Sequence, residues 1–101
     1  MAEYERSRLV QAPPDDVFAF VSDVRNMATF LPPVEAAQPQ PEGRVRVRGE
    51  VEGHAFEDDG WFRVDEARRR LEWGSAEHDY SGWLTVAAAD VGSQVVAHLS
   101  L

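Results

Sequence analysis

Polar and apolar residues alternate with the period of a β-strand from Glu3 to Val10. Tyr4, Arg6, Arg8 and Val10 share one face, and Glu5, Ser7 and Leu9 share the other. Pro13-Pro14 ends the alternation. Proline is tolerated in the first turn of a helix, where its missing N–H would be unbonded anyway, and Asp15 and Asp16 suit the positive end of a helix dipole. Val17-Phe-Ala-Phe-Val21 then gives an apolar turn and a half, too hydrophobic for a helix exposed on all sides. Ser22 or Asp23 can cap a second short helix carrying Val24, Met27, Phe30 and Leu31, which Pro32-Pro33 stops. Helices this short are stable only when packed on something larger.

The rest of the chain supplies it. Six further strand candidates follow: 34–38, 44–51, 54–65, 70–76, 80–88 and 93–101. Turn residues separate them, among them Pro39-Gln-Pro-Glu-Gly43, Glu52-Gly53 and Asp90-Val91-Gly92. Asp58-Asp59-Gly60 interrupts the long third candidate as either a hairpin turn or a bulge, and a glycine within a strand favours the bulge. An antiparallel sheet covers one face. Arg44, Arg46 and Arg48 must point outward, so Val45, Val47 and Val51 point inward. The same parity sends Phe62, Val64, Leu71, Trp73, Leu84, Val86, Val95, Ala97 and Leu99 inward. Trp61 and Trp83 lie on the opposite phase, which leaves the facing of the fourth and sixth strands open.

Composition narrows the class. A chain of 101 residues fits a single domain with one modest core. No stretch approaches the roughly 20 apolar residues of a membrane span, and the charged, alternating N-terminus does not read as a signal peptide. The absence of cysteine excludes disulfides, thiolate metal sites and cysteine nucleophiles, and fits a reducing cytoplasm. A formal charge of −8 argues against nucleic acid and anionic membranes as partners, because the one basic stripe, Arg44 to Arg48, is followed at once by Glu50, Glu52, Glu57, Asp58 and Asp59.

The order of these elements resembles the helix-grip fold of the START/Bet v 1-like superfamily, and within it the polyketide cyclase/dehydrase and lipid-transport group. Ala12-Pro-Pro-Asp-Asp-Val-Phe18 and Phe20-Val-Ser-Asp-Val-Arg-Asn26 carry the likeness at the helices, and Phe30-Leu-Pro32 at their end. Arg69-Arg-Leu-Glu-Trp73, Tyr80-Ser-Gly-Trp-Leu-Thr-Val86 and Gly92-Ser-Gln-Val-Val96 carry it in the later strands. The resemblance implies an α+β domain over residues 1–101, with a curved antiparallel sheet of about seven strands and two short helices between strands 1 and 2. Members of this superfamily continue into a long C-terminal helix that closes the concave face. Residues 1–101 end on a strand instead, so the inner face would be a large apolar surface, unusual for a soluble monomer. A homodimer in which sheets cover each other, a truncated chain, or a collapsed and shallower sheet would each account for this.

No catalytic signature stands out. His54, His78 and His98 share no metal spacing and read as surface or strand-end histidines. Glu57-Asp58-Asp59 lacks the further ligands and glycine spacing of a calcium loop and reads as a solvated turn. Ser81 does not sit in a nucleophile elbow. The aromatic residues are numerous for a domain of this size, and on a concave sheet they would suit a flat apolar molecule such as an aromatic polyketide, an isoprenoid or a lipid. The expected ligand-binding set is Phe30, Val47, Phe62, Val64, Trp73, Tyr80, Leu84, Val86 and Leu99, with no metal and no cofactor. Tyr80, Ser75, His98 and Thr85 are the polar groups expected near it, with Arg63 joining them if its strand has the opposite parity. The leading reading is a binding or carrier module. A cyclase or aromatase-like enzyme, with Tyr80 or His98 as its acid–base residue, is the second, and a protein-interaction module using the concave face is the third.

Overall fold

The computed structural model describes residues 3–30, 34–51, 53–75 and 81–100. Strand β1 (Glu3–Val10) leads into helix α1 (Pro14–Val21), a 3₁₀ turn (Val24–Asn26) and helix α2 (Met27–Phe30). The strands β2 (Val34–Gln40), β3 (Arg44–Val51), β4 (His54–Asp65), β5 (Arg70–Ser75), β6 (Ser81–Ala88) and β7 (Ser93–Ser100) follow. All seven form one antiparallel sheet in the order β1-β7-β6-β5-β4-β3-β2. From β2 to β7 the chain is a simple meander. Only β1 pairs out of sequence, against the last strand. This is the helix-grip α+β arrangement that the order of elements predicted.

The helices begin and end for local reasons. Pro13 and Pro14 open α1 without a side-chain cap, and Asp15 and Asp16 occupy its first turn. The Ser22 hydroxyl ends it by donating to the Phe18 carbonyl at 2.6 Å. Of the two predicted caps for the next element, Asp23 is the one used: its carboxylate accepts from the Arg25 backbone N–H at 3.0 Å. Val17, Phe18 and Val21 of α1, Val24 of the turn and Met27 of α2 pack against Val45, Leu71, Trp73, Leu84 and Val86 of the sheet to form the core. Each such buried side chain contributes about 1.5–3 kcal/mol relative to an exposed one.

Two expectations change. Asp58-Asp59-Gly60 forms neither a bulge nor a hairpin turn, because β4 pairs in unbroken register with β3 through all three residues. Gly60 is there for another reason: a Cβ on it would lie 2.2 Å from the Gly74 carbonyl oxygen, so the two backbones approach too closely for any side chain. The irregularity in the sheet falls instead between Val34 and Ala36. Strand β2 also runs two residues beyond its predicted end, through Pro39, which the edge of a sheet accommodates.

Register resolves the two open faces. Phe62 pairs with Trp73 and Val64 with Leu71, so both point into the concave side, whereas Trp61 and Trp83 point outward. Trp73 and Trp61 each sit over a cross-strand glycine. A Cβ on Gly82 would come within 2.6 Å of the Trp73 ring, and one on Gly74 within 2.6 Å of the Trp61 ring. On the convex side Arg63 lies over Trp61 and Arg70 over Trp83, at 5.0 and 4.7 Å from the ring centroids. Arg46 pairs there with Glu57 and Asp59. The hydrogen bond and charge of Glu57, helped by Asp59, hold its pKa above the usual arginine value. Among the described residues no helix is long and apolar enough to cross a membrane.

Candidate functional site

The pairing register turns the concave face into rows that cross the sheet. One row runs Phe62, Trp73, Gly82, Leu99, Tyr4, and the next runs Val64, Leu71, Leu84, Ala97, Arg6. A third brings Val86, Val95 and Arg8 together. The helices do not cover these rows evenly. Trp73, Leu84 and Val86 are buried beneath them, and Leu71 is fully inaccessible. Val47, Phe62 and Leu99 are half-buried against the edge of this core, and Val64 is 43% exposed. The expected ligand-binding set is therefore split: Trp73, Leu84 and Val86 are floor, and Val47, Phe62, Val64 and Leu99 are accessible wall. Phe30 is the last residue of α2, and Tyr80 lies outside the described residues.

The accessible wall includes a cleft of about 270 Å³ between the 3₁₀ turn and the adjoining parts of β2 to β4. Phe62 and Val64 form its apolar side with Val24 and Pro39, and Arg25 and Arg44 stand among its polar residues. The Asp23–Arg25 ion pair, at 3.3 Å, also contributes to the lining.

Polar groups on this face are few, and they are not all those expected. His98 and Thr85 are on the convex side, because His98 pairs with Trp83 and Thr85 with Arg70 and Val96. The His98 ring stacks on Trp83 at 5.3 Å and 6°, with Glu3 and Glu5 at 3.5 and 3.4 Å. It cannot serve as an acid–base group for the concave cleft. Arg63 is likewise convex. His54 is exposed at the start of β4, and His78 lies outside the described residues. Ser75 does face inward, opposite Gly60, and its hydroxyl is hydrogen-bonded to Asp58.

Asp58 is the residue that sequence reasoning placed wrongly. Three consecutive acids read as a solvated turn, but inside a strand they alternate. Glu57 and Asp59 go outward to Arg46, and Asp58 goes inward opposite Val47. Across β3 to β7 it is the one carboxylate on the concave side among the described residues. The same split prevents the acidic run from converging on a cation, and among the described residues no group of three or more potential ligands could hold a metal. Trp73 adds a second polar feature, since its indole N–H is buried without a hydrogen-bond acceptor. An unpaired buried donor is costly, about 1–3 kcal/mol.

The family model for polyketide cyclases/dehydrases and lipid transport matches residues 1–101. Among solved structures, the chain is similar to the di-domain aromatase/cyclase BexL from the BE-7585A biosynthetic pathway (24% identity, TM-score 0.80), covering 99% of this chain and 35% of that one. It is also similar to the Zhui aromatase/cyclase from a Streptomyces species (25% identity, TM-score 0.81), covering 97% of this chain and 66% of that one. A structural-genomics protein from Deinococcus radiodurans superposes with a TM-score of 0.85 at 17% identity, covering 99% and 82% of the two chains. The chain thus spans about a third of the di-domain enzyme and just under two thirds of the Streptomyces one. No curated protein matches it.

Proposed function

Since the chain belongs to the polyketide cyclase/dehydrase and lipid-transport family, we propose that residues 1–101 act as one domain that binds or carries a small apolar molecule against its concave sheet. The observation that carries this reading is the make-up of that face. Valine, leucine, phenylalanine and tryptophan run across β3 to β7, and the face opens at a cleft walled by Phe62 and Val64. Ligand sites are mostly apolar, with a few placed polar groups. At about 270 Å³ the cleft is at the small end of ligand sites, which favours a compact ring system or one end of a longer molecule.

Native mass spectrometry of freshly purified protein, with organic extraction, tests for a retained ligand. Titration with the neutral dye Nile red tests the site itself. Phe62→Ala should weaken dye binding by about fivefold or more, while His98→Phe, on the opposite face, should leave it unchanged. Loss of binding in His98→Phe but not in Phe62→Ala would place the ligand elsewhere. A bare mass together with no dye binding would remove the reading.

The inward Asp58 favours a second reading, a cyclase-like enzyme. Its carboxylate is suited to take a proton from a methylene flanked by two ketones. The resulting enolate carbon would then attack a third carbonyl and form the new C–C bond, and that oxygen would be protonated. The likeness to aromatase/cyclases is in keeping with this. Asp58→Asn should then abolish conversion of a poly-β-ketone while Nile red still binds. Unchanged conversion in that variant would remove Asp58 from the chemistry.

A further inference from the structure

We propose that Arg6 and Arg8 form an anion subsite on the concave face, holding the carboxylate of an amphipathic ligand whose apolar body lies along Val95, Ala97 and Leu99. This deepens the ligand-binding reading and rests on it. The pairing of β1 with β7 puts Arg6 opposite Ala97 and Arg8 opposite Val95, so both arginines share a face with half-buried apolar residues. Their Cα atoms are two positions apart on one strand, about 7 Å, close enough for both guanidinium groups to reach one carboxylate.

Charge accounting distinguishes this pair. The chain holds 10 arginines and 18 acids. Arg25, Arg46, Arg68, Arg69 and Arg70 each have a carboxylate partner, and Arg63 lies over Trp61. Among the described residues Arg6, Arg8, Arg44 and Arg48 have none. Arg48 alternates with the inward valines of β3 and faces the solvated convex side, and Arg44, at the start of β3, lines the separate cleft beside Phe62 and Val64. Arg6 and Arg8 are the two neighbouring arginines, unpaired among the described residues, that share a face with Val95 and Ala97. The nearest acids along β1, Glu3 and Glu5, cannot neutralise them, because they point to the opposite face toward His98. Guanidinium recognises carboxylate with paired, charge-assisted hydrogen bonds, and on a protein of formal charge −8 any attraction of an anion must be local. The same arginines also lie on an edge strand, where inward charges can act merely to discourage edge-to-edge pairing. That role predicts no ligand selectivity, which gives the test its contrast.

The test uses the fluorescent fatty acid cis-parinaric acid and its methyl ester, titrated into the wild-type chain, Arg6→Gln/Arg8→Gln, and the convex control Arg48→Gln/Arg63→Gln. Circular dichroism establishes that each variant is folded. The expected result is that wild type and the convex control bind the acid about tenfold more tightly than the ester. Arg6→Gln/Arg8→Gln should bind both alike, with ester affinity unchanged. Equal binding of acid and ester by the wild type would overturn the anion subsite while leaving the apolar site standing. An acid preference that survives Arg6→Gln/Arg8→Gln would overturn it too, by putting the anion contact elsewhere. If neither compound binds but Nile red does, the subsite falls alone; if Nile red also fails, the subsite and the binding reading fall together.

Discussion

Replacing Gly82 with alanine probes the contact that sets Trp73 in the floor of the concave face. The added Cβ would stand 2.6 Å from Trp73 Cζ2, 2.7 Å from Cε2 and 2.8 Å from the His98 carbonyl oxygen. None of these atoms can yield easily. The indole is 1% exposed in the core, and the carbonyl belongs to a strand paired on both sides. Overpacking of this kind costs about 1–3 kcal/mol, offset by roughly 0.5–1 kcal/mol because alanine suits a strand better than glycine. A net loss of about 1.3 kcal/mol follows. In urea, with a slope of about 1–1.5 kcal/mol/M for a small domain, the midpoint should fall by roughly 0.9–1.3 M. Trp73→Phe alone should cost about 1–2 kcal/mol through the space it leaves. In the double variant the smaller ring withdraws from the new methyl, so the two losses should fall short of their sum by about 1 kcal/mol. Far-UV circular dichroism is the readout, since tryptophan emission changes with the variant. Losses that add to within about 0.3–0.5 kcal/mol, or a Gly82→Ala chain as stable as wild type, would refute the packing described for this pair.

Other expectations are simpler. Gly92 and Gly53 have nearly the same backbone, φ +81° and +80°, but a Cβ on Gly92 would lie 2.2 Å from the Val10 carbonyl and one on Gly53 meets nothing within 4 Å. Gly53→Ala should therefore cost only the left-handed penalty of about 1–2 kcal/mol, and Gly92→Ala measurably more in the same urea titration; equal losses would contradict the close approach of the β6–β7 turn to β1. Arg69 donates to Asp15 at 2.8 and 3.1 Å, linking the β4–β5 turn to the start of α1, but Asp15 is 84% exposed. Asp15→Asn should destabilise by less than about 1 kcal/mol, and the difference should shrink in ~1 M salt.

Strands whose two faces differ in polarity could be read from sequence almost to the residue. Arg44-Val-Arg-Val-Arg48 alternates so cleanly that both the strand and its inward valines were evident. The reading weakened wherever the deciding neighbour was distant. Gly60 looked like a bulge because its need for space comes from Gly74 on another strand, and no local pattern reveals that contact. Trp61 and Trp83 face outward over arginines, against the usual preference of large rings for the core, and only the pairing register establishes it. Asp58 was hidden inside an acidic run that local rules assign to a turn. The facing of Arg6 and Arg8 depends on β7, at the far end of the chain.

The pairing of first strand with last also shapes how the molecule comes to be. Every other strand contact joins neighbours in sequence and can close over a short turn, whereas Val10 and Ser93 meet across roughly 80 residues. Loop-closure entropy rises only with the logarithm of length, so this junction costs about 3 kcal/mol more than closing a tight hairpin. It must nevertheless wait until the partner exists. On the ribosome β1 would be made first and joined last. Until β7 is made its unpaired edge is available to other strands, and its alternating charges lower the risk of wrong pairing during that interval.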